Sequence, residues 1–441
     1  MGADGDFDEW PVLDHLAALI DKSLVISEPG ALPRYRLLES ARAFALERLH
    51  KAGERPTATR RLAEAVLRQF AKAFAERWTL TTSELLSSTL PDIDTLRAAL
   101  TWAASDVGDP VHLVALVGAA SGFWRPANLT SEGLRWTQIA TERITADTRA
   151  DIEARLWLGY AVMAHQLEAS KEMAALHRAV SLYRSIDDRR GLYESLTMLA
   201  QKQIWQHDLP AAEKAITEAS DLYDPSWPAV MREGLLTART YWLEVSGRPA
   251  EGQALMEELV ALMRALGDER RLDHALMQLA ESLFVQGKAT EAIVVRREVA
   301  ERIGQRRVNY AASNLANLCA ALTFNDEFDE ALHTARLAFP LLQHEGSLST
   351  YADHFALLAC KSGRHAESAR LLDRADARFR ASGFEREESE LRAARMTLDA
   401  LHQAMATHEL HKLMTEGAAM SDEAAARAAL GIDRRRAERT A

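Results

Sequence analysis

The sequence predicts an all-α protein, a solenoid of stacked helical hairpins preceded by a short helical module that carries one β-hairpin. Two observations carry that prediction. One hairpin layout recurs five times at a nearly constant period. Long stretches consist of Ala, Leu, Arg and Glu, all good helix formers, and Pro, which interrupts helices, numbers only 12 in 441 residues.

The repeat is marked by its turns. They begin at His207, Gly247, Gly287, Asp326 and Gly363, which stand 40, 40, 39 and 37 residues apart. Gly suits such a place because helices commonly end on a residue of positive φ, which Gly adopts without a Cβ clash. Seven positions before each turn stands Ala200, Thr240, Ala280, Cys319 or Ala356, small enough to let the two helices of a hairpin approach closely. Immediately before it comes a large knob, Leu199, Leu279, Leu318 or Phe355, and Arg239 breaks the rule in the second unit. Twelve positions after the turn come Ala219, Leu259, Val299, Ala338 and Ala375, again small or apolar. A sixth, degraded unit is expected over 151–188, with Trp157, Tyr160 and Ala179 roughly in register.

This pattern resembles tetratricopeptide (TPR) repeats, whose period is nearer ~34 residues. The longer period implies extra helical turns in each hairpin. One hairpin cannot bury its own apolar face, so the units must stack, and the product is a binding architecture.

Upstream, Pro11–Lys22 reads as an amphipathic helix with Leu13, Leu16, Leu19 and Ile20 on one face. Leu24–Ser27 reads as a short strand, 28–33 as a turn containing Pro29, Gly30 and Pro33, and Arg34–Leu37 as a second strand. Leu38–Lys51 returns to helix and ends at Gly53. Helix, hairpin, helix is the second half of a winged helix.

The string from Val12 to Leu49 (VLDHLAALIDKSLVISEPGALPRYRLLESARAFALERL) resembles the winged-helix segment of bacterial STAND-type regulatory ATPases, relatives of the AfsR and maltose-activator proteins. Asp94–Ala103 (DTLRAALTWA) resembles the family's DNLRAALxWA, with Thr95 in place of Asn. Phe123-Trp124 and Glu132–Trp136 resemble the first helical pair after the winged helix. The resemblance covers nearly the whole chain, and beyond Trp136 it rests on repeat architecture. It implies a transcriptional regulator whose solenoid binds an inducer or partner protein and thereby relieves inhibition of a nucleotide switch. In such proteins the winged helix packs on the nucleotide-binding domain and reports its state.

The sequence departs from that family in two ways. No G-x-x-x-x-G-K-[ST] occurs, and Gly287-Lys288 sits in a repeat turn without the upstream glycine. A winged helix also needs two helices before Pro11, where about ten polar residues remain. The expectation is therefore the C-terminal arm of such a regulator separated from its switch, through a truncated gene, a misassigned start or a split protein, with an ATPase domain encoded upstream as a candidate partner. The expected divisions are 1–53 (partial winged helix), 54–146 (helical linker and first helical pairs), 147–384 (TPR-like repeats) and 385–441 (capping helices and tail).

Charge and composition narrow the alternatives. A net charge of −11 argues against a general nucleic-acid or anionic-membrane surface. Between Arg34 and Lys72, Arg and Lys outnumber Asp and Glu by 10 to 4, which reads as a solvated face or a surface that meets the ATPase. A recognition helix at Pro11–Lys22 would offer DNA mainly Asp14, His15, Asp21 and Lys22, which is poor equipment. The two cysteines, Cys319 and Cys360, form no CxxC and suit a reducing cytoplasm. Met1–Asp8 is acidic and Gly-rich, unlike a signal peptide, and no run approaches 18 apolar residues.

No catalytic motif, cofactor or metal site is expected. His402, His408 and His411 cluster, but His408-Glu409-Leu410-His411 lacks the i, i+4 histidine spacing of a zincin helix. Trp102, Trp124, Trp136 and Trp157 read as core, while Trp205 and Trp242 fall near the ends of first helices. In TPR superhelices the first helices line the concave face. By that resemblance Glu194, Gln201, Tyr241, His274 and Glu281 face the groove that would hold a protein or small-molecule inducer. The tail from Ser421, ending in Arg434-Arg435-Arg436, is expected to be a fraying cap or a disordered end. Two other functions fit the sequence: a stand-alone TPR-like adaptor, and weak, salt-sensitive DNA binding through the winged-helix remnant.

Overall fold

The computed structural model describes residues 9–28, 34–165, 169–304, 310–382, 386 and 388–432. Met1–Asp8, the turn at Pro29–Pro33 and the Arg434–Arg436 run lie outside the described residues. The fold is an all-α, TPR-like solenoid of helical hairpins with one small sheet. It divides into two compact units, residues 1–202 with 217–224 and residues 203–216 with 225–441.

The first unit opens with α1 (Glu9–Asp21), β1 (Val25–Glu28), β2 (Arg34–Leu37) and α2 (Glu39–Lys51). The strands pair antiparallel from Val25↔Leu37 to Glu28↔Arg34, in the order expected of a half winged helix. Next come α3 (Arg55–Glu76), α4 (Thr82–Thr89), α5 (Ile93–Ala103), α6 (Pro110–Trp124) and α7 (Thr130–Thr141). Asp109 caps the start of α6, accepting from Val111 N–H, with Pro110 in the first turn where no amide partner is needed. From Leu113 to Ser121 every residue of α6 is buried, which makes it the central pillar of this core. Phe70, Leu96, Leu100, Trp124 and Trp136 pack around it. Gly133 lets α7 cross Trp124: a Cβ there would lie 2.6 Å from the indole. The hairpin of α8 (Ala150–Ala164) and α9 (Ala169–Ser185) follows, and Ala179 is fully buried, as the degraded sixth unit requires. Then come α10 (Arg189–Trp205) and α11 (Leu209–Leu222), whose residues are shared between the two units.

The second unit holds the hairpins α12 (Arg232–Val245) with α13 (Pro249–Leu266) and α14 (Glu269–Val285) with α15 (Ala289–Ile303). They are followed by α16 (Ala311–Phe324) with α17 (Phe328–Glu345) and α18 (Ala352–Lys361) with α19 (His365–Ser382). The repeat grammar holds position by position. Ala200, Thr240, Ala280, Cys319 and Ala356 are all 0% exposed. Twelve residues on from Thr240 and Ala356 stand Gly252 and Ser368. Thr240 Oγ1 donates to the Gly252 carbonyl at 3.2 Å, and Ser368 Oγ to the Ala356 carbonyl at 2.7 Å, so hairpins cross small residue on small residue. All five turn residues adopt positive φ, from 59° at His207 to 82° at Gly287. A Cβ added at Gly247, Gly287 or Gly363 would meet nothing within 4 Å, so glycine there answers backbone conformation and not crowding. Arg239, the exception among the knobs, is exposed.

The end of the chain differs from expectation. After α20 (Glu388–Ala404) and α21 (Thr407–Ala418) comes α22 (Asp422–Ala429), which packs on α18 and α19. Ser421 caps it, accepting from Ala424 N–H, and Ala425, Ala426, Ala429 and Leu430 are fully buried. Arg336 donates to the Leu430 carbonyl at 2.8 Å, and Arg374 pairs with Asp422 at 2.6 Å. The Ala-rich stretch is therefore a packed cap through residue 432, because small side chains dock a helix closely where larger ones would hold it off.

Candidate functional site

The five candidates stand on first helices, two in the first unit and three in the second. On α10, Glu194 and Gln201 lie two helical turns apart and both are half-buried. Glu194 accepts from Arg77, the residue that follows α3, at 2.5 Å. The guanidinium of Arg77 lies 3.7 Å from the centroid of the Phe74 ring and 4.9 Å from that of Trp78, and Arg155 covers Phe74 at 4.7 Å. Charge and π-face thus hold Arg77 together. Tyr183 sits beside this group, and burial with the nearby Glu194 charge pushes its phenol well above the ordinary range. Deeper in the same unit, Lys202 and His165 converge on Glu172 at 2.7 and 3.0 Å. Burial opposes the Glu172 carboxylate, but those two partners outweigh it and hold the group below its usual range.

In the second unit Tyr241 of α12 is half-buried, with its ring 6.4 Å from that of Trp205, which is itself 46% exposed. His274 and Glu281 stand two turns apart on α14, the histidine exposed and the carboxylate partly so. Glu244 of α12 lies near: burial raises its carboxyl, the Glu281 charge adds to the rise, and the Ser282 hydroxyl donates to it. Glu244 and Glu281 therefore lie close together as an acidic pair between α12 and α14, and Tyr241 stands one turn before Glu244 on α12.

Glu281 leads to a residue that sequence reasoning missed. It accepts from Arg296 of α15 at 2.6 Å, and Arg296 is 1% exposed. A signal was present. Ala292, Ile293, Arg296, Val299 and Ile303 are the buried positions of α15, so an arginine occupies the apolar stripe itself. Arg77 and Phe74, the partners of Glu194, were likewise unmarked, being distant in sequence from the repeats.

Both thiols are buried, and Cys360 Sγ lies 3.7 Å from His365 Nδ1. Burial pushes Cys319 up to about 12 and also raises Cys360. Among the described residues no group of three or more His, Cys, Asp or Glu side chains is placed to hold a metal ion, and His402, His408 and His411 are all exposed. Among the described residues no helix is long and apolar enough to cross a membrane.

The chain matches no known protein-family model. It is 28% identical over 321 residues to proteins named, by inference, as HTH-type transcriptional regulators in Mycobacterium bovis and in two strains of Mycobacterium tuberculosis. The match covers 68% of this chain and 34% of each relative, so the chain spans about a third of their length. Among solved structures it resembles a signal transduction ATPase with numerous domains (STAND) that carries a TPR sensor, from Pyrococcus horikoshii. There the TM-score is 0.55 at 12% identity, over 93% of this chain and 58% of the other. A Rap protein complexed with competence and sporulation factor is similar at a TM-score of 0.51 and 11% identity, over 82% of this chain and 99% of that one.

Proposed function

We propose that this chain is the non-catalytic sensing region of a STAND-type transcriptional regulator of the AfsR and maltose-activator kind, and that its solenoid receives an inducer or partner protein. The observation that supports the reading lies on the first helices of the second unit. Tyr241, Glu244 and Glu281 present aromatic and carboxylate groups from successive first helices, backed by a buried guanidinium. Polar and aromatic groups on neighbouring first helices suit ligand recognition. Similarity to named transcriptional regulators and to a TPR-sensor structure supports the same assignment. In this reading the ligand acts by differential affinity for two arrangements of the hairpins, the protein works in the cytoplasm, and residues 1–53 transmit the result to an ATPase partner and not to DNA. Glu194 and Gln201 form the corresponding surface in the first unit.

The test is a reporter and binding experiment in the native cell. The regulated promoter is found by deleting the gene, and Tyr241→Ala and Glu281→Ala variants are then compared with the parent. The proposal expects both variants to fold, Glu281→Ala with reduced stability, to lose the transcriptional response and to lose ligand- or partner-induced thermal stabilisation. A deletion without transcriptional effect, alongside intact partner binding, would make the chain an adaptor.

A further inference from the structure

Five buried polar atoms on α15, α16 and α18 of the second unit have no hydrogen-bond partner. They are Nε and Nη1 of Arg296, Oδ1 of Asn314, and both ring nitrogens of His354. Arg296 is 1% exposed, and Asn314 and His354 are 0% exposed. The three belong together: Asn314 Nδ2 donates to the Arg296 carbonyl at 3.1 Å, and the Arg296 charge acts on the His354 ring. Glu390 of α20, 4% exposed, places Oε1 3.7 Å from His354 Nε2, and its charge also reaches Arg296. Glu281 closes the group on the side nearer solvent.

A buried donor or acceptor left without a partner costs roughly 1–3 kcal/mol. A fold rarely keeps five such atoms in one place unless something satisfies them. The chemistry on offer decides what does. Arg296 has two donor nitrogens, with three N–H groups, to give. His354 is held neutral, because burial and the Arg296 charge push it down to about 3, so its ring has one donor and one acceptor. Asn314 Oδ1 accepts, and the carboxylates of Glu281 and Glu390 flank the arginine. A lone anion would meet two carboxylates, and a lone cation would meet the guanidinium. A molecule carrying both charges a few bonds apart meets neither penalty.

We infer that this seat binds a small zwitterion, an α-amino acid or dipeptide, whose carboxylate accepts from Arg296 and His354 and whose ammonium donates to Asn314 Oδ1 and Glu390. The inference rests on the sensing role proposed above and names the ligand class for it. Because Glu390 belongs to α20, occupancy of the seat bears directly on the C-terminal cap.

The experiment is thermal denaturation of the full chain with each of the common α-amino acids and a panel of dipeptides at millimolar concentration. Acetate and methylammonium serve as single-charge controls. At least one zwitterion is expected to raise Tm by several degrees while both controls do nothing. By calorimetry, Arg296→Met then weakens that ligand's binding by at least about 30-fold, the loss typical of a severed buried charge pair. Should Arg296→Met fail to fold, Asn314→Leu supplies the comparison, with about a tenfold loss expected for one hydrogen bond to a charged group. Absence of any zwitterion shift, or affinity unchanged in the folded variant, overturns the inference. The sensing role fails separately: an inducer that binds without regard to Arg296 refutes only the seat, and a zwitterion that binds without altering transcription refutes only the role.

Discussion

Two glutamates on first helices of this protein, Glu194 and Glu281, each hold an arginine from another element, and the two pairs differ in everything around them. Glu194 holds Arg77, whose guanidinium also rests on Phe74 and Trp78 and keeps some exposure, 16% for the side chain. Glu281 holds Arg296, which has no aromatic platform among its described contacts, keeps two unpaired donors and is shut away at 1%. The first pair is satisfied by its surroundings and behaves as architecture. The second leaves two buried guanidinium nitrogens without a partner, and the zwitterion inferred above is what would satisfy them.

The largest expected effect breaks the second pair. Glu281→Ala leaves a buried guanidinium without its closest carboxylate and should cost about 3–5 kcal/mol in urea unfolding. The double variant Glu281→Gln/Arg296→Met should recover most of that loss, since apolar replacement of buried charge is often neutral or stabilising. If the double variant is as unstable as the single one, the pair is ordinary packing and the contrast with Glu194 dissolves.

The next effect concerns pH. His354 is held at about 3 in the folded protein, against an ordinary value near 6.5. As pH falls below 6.5 the unfolded chain takes up a proton that the folded chain refuses, so this residue drains stability on acidification. His354→Gln should therefore lose less stability than the parent between about pH 6.5 and 5, by about 1–2 kcal/mol. Asp353, whose carboxyl burial pushes up to about 6 against the pull of Arg386, acts in the opposite direction but is common to both proteins. Parallel stability curves for parent and variant would mean that water reaches the ring.

Breaking the first pair should matter less. With Glu194→Ala the aromatic rings still hold Arg77, and a loss of about 1–2 kcal/mol is expected from chemical denaturation. A loss equal to that of Glu281→Ala would contradict the distinction drawn between them. Smallest of all, Gly287→Ala strains only a left-handed turn with open space around it and should cost about 1 kcal/mol.

The architecture was readable because its rule is local and repeated. A small residue seven places before a turn, and a turn that needs positive φ, are written in five copies, and even His207 and Asp326 adopt the conformation their glycine counterparts imply. The cap α22 was misread for a physical reason: an Ala-rich, charged segment looks the same whether it frays or docks, and only neighbours such as Arg336 and Arg374 decide. The candidate site was half legible. Position on the first helices marked Glu194 and Glu281, but their arginines lie 117 and 15 residues away, and no one-dimensional pattern ties a groove position to a guanidinium arriving from another element. Asn314, His354 and Glu390 come from three further helices and meet only in the folded chain.

Arginine-selective isotope labelling with NMR detection of the Arg296 Nε–H, during titration with whichever amino acid or dipeptide stabilises the chain, tests the account most directly. The account predicts a saturable downfield shift at that one resonance, as the free donor acquires a carboxylate, with the Arg77 signal unmoved. An Arg296 resonance that stays in place while the ligand binds would contradict it.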